Sequence, residues 1–329
     1  MRRRRIAGTP VKVTELGFGG AAIGNLYQAV DEDDALTAVD AAWDLGIRYF
    51  DTAPFYGLGM SERRLGRALR GHPRGEFVVS SKVGRLLVPN PRPVGQGVDV
   101  FDVSDEVRPE RDYSRDGVLR SIEASLERTG LDRLDVVFVH DPDDHWPQAA
   151  DEAMPALAEL RDQGVIGAIG AGMNQSAMLA RFLRETAADV VMLAGRYTLL
   201  EQDALDDVLP AAVEQGKSVI AVGVFNSGLL ARERPGPDAK YNYADAPPDV
   251  VARAVRIAEV CEQHGTTLPA AAVAFPFGHP AVVNVTVGVR TPDEVARNVD
   301  LHARPVPVGL WDHLRAEGLL RADAPTPAS

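Results

Sequence analysis

The chain of 329 residues carries 35 Lys+Arg against 47 Asp+Glu, a formal net charge of -12, and a single cysteine. So acidic a chain disfavours nucleic-acid and anionic-membrane partners, and one cysteine closes no internal disulfide, which fits a reducing, cytoplasmic setting. Its 45% apolar and 25% charged residues are those of a folded globular protein, and no apolar run reaches the roughly 18 residues of a membrane helix.

Residues 2–6 and 11–14, joined by Gly8-Thr9-Pro10, predict a small hairpin. The Arg2–Arg5 cluster has no apolar stretch behind it, so it reads as strand rather than as a secretion signal or a nucleic-acid arm. Alternation follows. Strands are expected at 16–20, 47–51, 77–82, 134–140, 165–172, 189–193, 218–223 and 282–289. Helices are expected at 31–45, 61–69, 114–128, 148–163, 175–186, 203–214, 248–264 and 292–301. Strands alternating with helices imply parallel packing, and continuous apolar strands such as Val136-Val137-Phe138-Val139 suit a sheet covered on both faces.

Eight such units predict an α/β (β/α)8 TIM barrel, a single domain over 1–329 with the hairpin at 1–14 and a C-terminal extension at 302–329. A doubly wound sheet is the alternative, but Gly17-Phe18-Gly19-Gly20 lacks the dinucleotide-fingerprint spacing. Two long connections, about 83–113 and 226–247, follow strands and so fall on the catalytic face of a barrel. Residues 322–329 read as a frayed tail, and Cys261, within a helical pattern, as a buried small hydrophobe.

In a barrel, chemistry gathers where strands end. The second strand ends in Asp51 with Tyr56 in the next loop, the third in Lys82 and the fourth in His140. Each alone is an ordinary strand-end or loop residue. Together, at three successive strand ends, they suit proton transfer at an oxygen coupled to hydride transfer. A Tyr ordinarily titrates near 10, and a neighbouring Lys82 ammonium is expected to lower that value, with Asp51 holding the lysine and His140 orienting the oxygen. No metal-ligand spacing, serine-hydrolase elbow or Walker loop occurs, so no metal is expected.

These residues carry a resemblance. Phe50-Asp51-Thr52-Ala53-Pro54-Phe55-Tyr56-Gly57 with Ser61-Glu62, then Ser81-Lys82-Val83-Gly84 and 135–140, resemble the aldo-keto reductase family, and the likeness extends from Leu16 to Asn298. The resemblance implies NAD or NADP bound in extended form and Tyr56 as the acid–base residue. It further implies cofactor contacts at Gly20, Asn174, the loop Phe225, Asn226, Ser227, Gly228 and Leu229, and the clamp Gly288, Arg290, Glu294 and Asn298. Backbone N–H groups beside Gly228 are expected to meet the phosphates. Met173, Ala194 and Val222 or Gly223 depart from the family's usual residues around the nicotinamide. Glu294, where NADP users tend to carry a basic residue, points to NAD.

Motifs such as Ala22–Tyr27, Val83–Pro89 and His140–Trp146 resemble a narrower group of bacterial aldose dehydrogenases acting on L-fucose and D-threo-aldoses, and pyridoxal 4-dehydrogenases look similar. The expected substrate is a small sugar or aldehyde held by Asn25, Tyr27, Asp141, His145 and Trp146, with Asp143 beside them. A general aldehyde or ketone reductase, and a non-catalytic cofactor-sensing regulatory subunit, are the alternatives. The sequence leaves the oligomeric state open.

Overall fold

A computed structural model describes every residue except Gln96, Pro237, Tyr243 and Ser329. The chain opens with the antiparallel pair β1 (Arg3–Arg5) and β2 (Lys12–Thr14). The barrel then begins with β3 (Leu16–Gly19), α1 (Glu32–Asp44), β4 (Tyr49–Asp51), α2 (Met60–Leu69) and β5 (Val78–Val83). An antiparallel hairpin, β6 (Arg85–Pro89) and β7 (Val107–Arg111), interrupts it. Next come α3 (Arg115–Thr129), β8 (Val136–His140), the short α4 (Trp146–Gln148) continued through a wide turn into α5 (Met154–Asp162), β9 (Ala168–Met173), α6 (Ser176–Glu185), β10 (Val190–Ala194), α7 (Val208–Glu214) and β11 (Ser218–Val222).

A two-residue pair, β12 (Lys240–Tyr241) with β13 (Ala244–Asp245), precedes α8 (Pro248–Gln263) and α9 (Leu268–Ala274). Strand β14 (Val282–Gly288), α10 (Pro292–Ala303) and α11 (Val308–Ala316) complete the chain.

The strands β10-β11-β14-β3-β4-β5-β8-β9 form a closed, all-parallel barrel. The residues dictate this locally. Asp31 caps α1 by accepting from the Asp33 N–H, and Glu32, Asp33 and Asp34 put negative charge at the positive helix end. Ser114 caps α3, and Gly130, with φ +64°, ends it. The barrel interior is filled by Tyr49, Val136, Phe138, Val190, Met192 and Ile220, while a larger apolar layer lies between strands and helices.

Sequence periodicity finds all eight barrel strands. It does not find the β6–β7 hairpin, whose Pro89, Pro91 and Pro93 read as loop, nor α9 and α11, which supply no strand beside them to mark the alternation. The chain from α11 to Thr326 is packed, where fraying is expected from 322 onward. Trp311 and Leu314 are fully buried, Ala324 is nearly so, and Arg315 bonds the Ala324 carbonyl at 2.9 Å and Thr326 Oγ1 at 3.1 Å. The N-terminal arginines are bound into the fold: Arg4 pairs with Glu15 at 2.7 Å and Arg3 donates to the Glu76 carbonyl.

Candidate active site

The C-terminal ends of β4, β5 and β8 carry Asp51, Lys82 and His140 to one side of the barrel mouth, and Tyr56 arrives in the turn after β4. The register explains the convergence, because Asp51 lies level with Ser80, two residues short of Lys82. Lys82 Nζ therefore reaches back to both Asp51 oxygens, at 2.7 and 2.9 Å, and to the Thr52 carbonyl at 3.0 Å. Ser80 Oγ donates to Asp51 at 2.7 Å and meets Tyr49 OH at 2.9 Å. The lysine side chain is 2% exposed and the aspartate 4%, so the pair is dry. Glu62 accounts for its place in the motif structurally: wholly buried, it accepts from Ser81 Oγ at 2.9 Å and Arg128 Nε at 2.5 Å, fixing α2 against β5 and α3.

Lys82 Nζ lies 4.5 Å from the centre of the Tyr56 ring, and the ring stands perpendicular to His140 at 5.8 Å. Burial opposes the lysine's charge, but Asp51 and the Tyr56 hydroxyl outweigh it and hold the ammonium above its ordinary range. For Tyr56 the balance runs the other way. Burial of the phenolate pushes its pKa up to about 12 despite the pull of Lys82, correcting the expectation of a lowered value. His140 is held well below the usual imidazole range by burial, reinforced by Arg85 and Lys82, so it is neutral at neutral pH.

The surroundings add residues that motif reading did not single out. Arg85, on β6, pairs with Asp141 at 2.5 Å and lies over the Phe55 ring at 4.4 Å. Phe101, from the long connection after β5, packs edge-on against Phe55 and lies 6.1 Å from Tyr56. Its signal was weak, a lone aromatic in a Pro/Gly-rich stretch. Gly84 makes the turn between β5 and β6. Its φ of +100° is a glycine's, and a Cβ there would lie 2.1 Å from the Tyr113 ring. Tyr113 in turn donates to the carbonyls of His140 and Asp141, at 2.7 and 2.9 Å, and so fixes the loop after β8.

The opposite side of the mouth holds a cavity of about 380 Å³ built on the ends of β9, β10, β11 and β14. Asn174, Phe225, Asn226, Ser227 and Gly228 line it. So do Gly288, Arg290, Glu294 and Asn298. Two buried polar atoms beside it, Asn226 Oδ1 and Arg290 Nε, have no partner among the described residues. The donor set, with arginines and glycine-bare walls, fits an extended, phosphate-bearing dinucleotide.

Several expected contacts lie elsewhere. Leu229 is 1% exposed within the core. Gly20 donates to the Asp51 carbonyl at 2.8 Å, and a Cβ there would lie 2.6 Å from Ser61 Oγ, so it joins β3 to β4 rather than lining the cavity. The N–H groups of Gly228 and Leu229 are already donated, to Phe225 and Asn226 carbonyls, and so do not face a phosphate. Arg297 and Asn242, neither expected, do line the cavity; Arg297 is anchored to the Ala231 carbonyl at 2.9 Å and Asn242 to Arg196 at 3.1 Å. Glu294 accepts from the Arg290 N–H at 2.7 Å at the start of α10, a capping role combined with its place on the wall.

The expected substrate contacts divide. Asp141 stands beside the tetrad, 3.5 Å from His140 Nε2. Asn25 is spent on scaffolding: its carbonyl oxygen accepts from Arg64 and the Val30 N–H, and its amide donates to the Asp102 carbonyl. Trp146 is covered on one face by the Arg181 guanidinium at 3.8 Å and packs edge-on with Phe182. His145 packs on Tyr113 at 5.2 Å. Tyr27 lines the cofactor-side cavity with Arg290. Asp143 meets Gln175. Among the described residues no cluster of potential metal ligands is present, and no helix is long and apolar enough to cross a membrane.

A closed parallel barrel with Asp, Tyr, Lys and His at one mouth and a cavity lined by arginines, asparagines and glycines beside them defines a class. The chain belongs to the Aldo/keto reductase family, whose sequence model matches residues 15–308, and it is an NAD(P)-dependent oxidoreductase. It is 46% identical to D-threo-aldose 1-dehydrogenase from a Pseudomonas species over 98% of both chains. It is 38% identical to pyridoxal 4-dehydrogenase from Microbacterium luteolum, covering 97% of this chain and 98% of that one. Among solved structures it resembles the holo form of an aldo-keto reductase from Bacillus halodurans, with a TM-score of 0.73 and 25% identity over 98% of both chains.

Proposed function

We propose that the protein oxidises the anomeric carbon of an aldose of the L-fucose or D-arabinose type, giving a lactone, with NAD preferred over NADP. The observation that supports this most is the dry Lys82–Asp51 pair beneath Tyr56, next to a neutral His140. The aldose dehydrogenase relative gives the substrate class.

The nicotinamide cofactor, when bound, supplies the hydride acceptor. The protein's own residues handle the oxygen and its proton. His140, uncharged, orients the anomeric oxygen toward Tyr56. Tyr56, having first lost its own proton to solvent, takes the hydroxyl proton as phenolate while the C1–H bond breaks, so the proton passes to Tyr56, the hydride passes to the bound acceptor, and a carbonyl remains. Because burial makes free phenolate scarce, Lys82 acts before the transfer by stabilising the Tyr56 phenolate that must form, and Asp51 keeps the lysine aimed. Asn174, Asn298, Arg290 and Arg297 would hold the cofactor, and Glu294 would accept a ribose hydroxyl while repelling a 2′-phosphate. Asp141, beside the tetrad, would accept a sugar hydroxyl and so favour sugars over simple aldehydes.

The pyridoxal dehydrogenase relative favours a second reading, oxidation of pyridoxal, which is itself a cyclic hemiacetal. Initial rates for aldoses, pyridoxal and simple aldehydes, run in both directions with both cofactors, test the proposal. It expects an aldose with NAD to give the highest kcat/KM. Turnover confined to pyridoxal, or an NADP preference of about a hundredfold, would contradict it.

A further inference from the structure

The residue beside the tetrad whose role remains open is Arg85. It enters on β6, the hairpin strand outside the barrel, yet its guanidinium reaches the catalytic mouth. Its side chain is 13% exposed, its Nη2 lies 2.5 Å from Asp141 Oδ2, and its guanidinium carbon lies over the Phe55 ring at 4.4 Å. That same carboxylate oxygen lies 3.5 Å from His140 Nε2. Asp141 holds this geometry in a left-handed backbone conformation, φ +42°, which a non-glycine residue adopts at a cost. The shared oxygen therefore has two competing cationic partners, an arginine that is always charged and a histidine that need not be.

We propose that Arg85 is a positioning residue: by claiming the Asp141 carboxylate it prevents Asp141 from pairing with a protonated His140, so His140 meets the substrate oxygen as neutral imidazole. The proposal rests on the reading of His140 as the oxygen-orienting residue. The charged and titratable groups facing the ring are Tyr56 from the β4–α2 turn, Lys82 from β5, Arg85 from β6, Arg111 from β7 and Asp141 from its own strand end. Burial and the three cations all oppose protonation, and Asp141 alone favours it. Removing Arg85 both deletes an opposing charge and releases the favouring one, so the two effects act in the same direction. Gly84 and Tyr113 keep the two loops together, Tyr113 by its bonds to the His140 and Asp141 carbonyls, so the arrangement does not depend on the ion pair for its shape.

The test is an NMR titration of the full-length protein with labelled histidine, His140 being assigned by its loss in His140→Asn. This readout needs no turnover, so it stands apart from whether aldoses are the substrate. In the wild type the His140 ring should stay neutral through the ordinary histidine range. In Arg85→Gln its titration should move upward by at least about one pH unit. In Arg85→Lys, which restores the charge, and in Arg85→Gln/Asp141→Asn, which removes both, it should move back toward wild type. Thermal melting checks that each variant is folded, and Arg85→Lys serves as the readout if Arg85→Gln is not. A His140 titration unchanged in Arg85→Gln, or unchanged between the single and double variants, would overturn the proposal. If Arg85→Gln does not fold, a His140 titration in Arg85→Lys already shifted into the ordinary histidine range would overturn it.

Discussion

Tyr56, Lys82 and Asp51 show how far a side chain's chemistry is set by its neighbours. A phenol held near 12 by burial is rarely ionised at rest, and a lysine locked to a buried carboxylate is a fixed cation rather than a proton donor. The useful consequence is polarity, since negative charge on the Tyr56 oxygen is stabilised only where Lys82 points. Tyr56→Phe should leave the barrel and the cofactor cavity intact and lower kcat by on the order of a thousandfold, read as steady-state rates beside an unchanged cofactor Kd. Turnover retained within about tenfold would remove Tyr56 from the chemistry. These three residues and His140 are legible because each lies at or just after the end of a strand. Arg85 and Phe101 are not legible as site residues, because Arg85, though inside the 83–89 motif, and Phe101 both come from the long connection after β5, whose return to the mouth only the fold shows. Asn25 is illegible for a related reason: residue type suggests a sugar contact, but only packing reveals that Arg64 and the backbone already take up its amide.

At the scale of elements, the eight strand–helix units followed from apolar runs and alternation, and their ends from caps such as Asp31 and Ser114. The hairpin β6–β7 escaped notice because it is short, half-exposed and proline-bounded, although it delivers Arg85 to the site. Helix α11 escaped because it adds no strand; its burial of Trp311 comes from contacts distant in the chain. Gly84 links strand and site most tightly. Gly84→Ala would force a side chain into positive φ and against Tyr113, with a cost of about 1–3 kcal/mol. Chemical denaturation should show that loss, and kcat should fall with it, since the displaced Tyr113 also holds the loop of His140 and Asp141. Wild-type stability with wild-type kcat would show that the loop tolerates the shift.

Across the whole molecule, net acidity leaves the cofactor side untroubled, because Arg290 and Arg297 supply positive charge locally. The fold does impose a pH limit. His279, buried before β14, is held down to about 4 against an ordinary 6.5. Between those values the unfolded chain binds a proton that the folded chain refuses. The stabilisation is therefore complete above 6.5 and is lost as pH falls through about 4, roughly 3 kcal/mol from this group. Unfolding free energies at pH 7 and near pH 4 should differ by more in the wild type than in His279→Gln; an equal difference would assign the acid sensitivity elsewhere.

The central claim is a reaction, and one measurement tests it most directly. Purified protein given L-fucose or D-arabinose with NAD should form reduced nicotinamide and the matching lactone in equal amounts, at a kcat/KM above that for pyridoxal or simple aldehydes. If the protein binds NAD yet no aldose yields lactone, the account of this site as an aldose dehydrogenase is wrong.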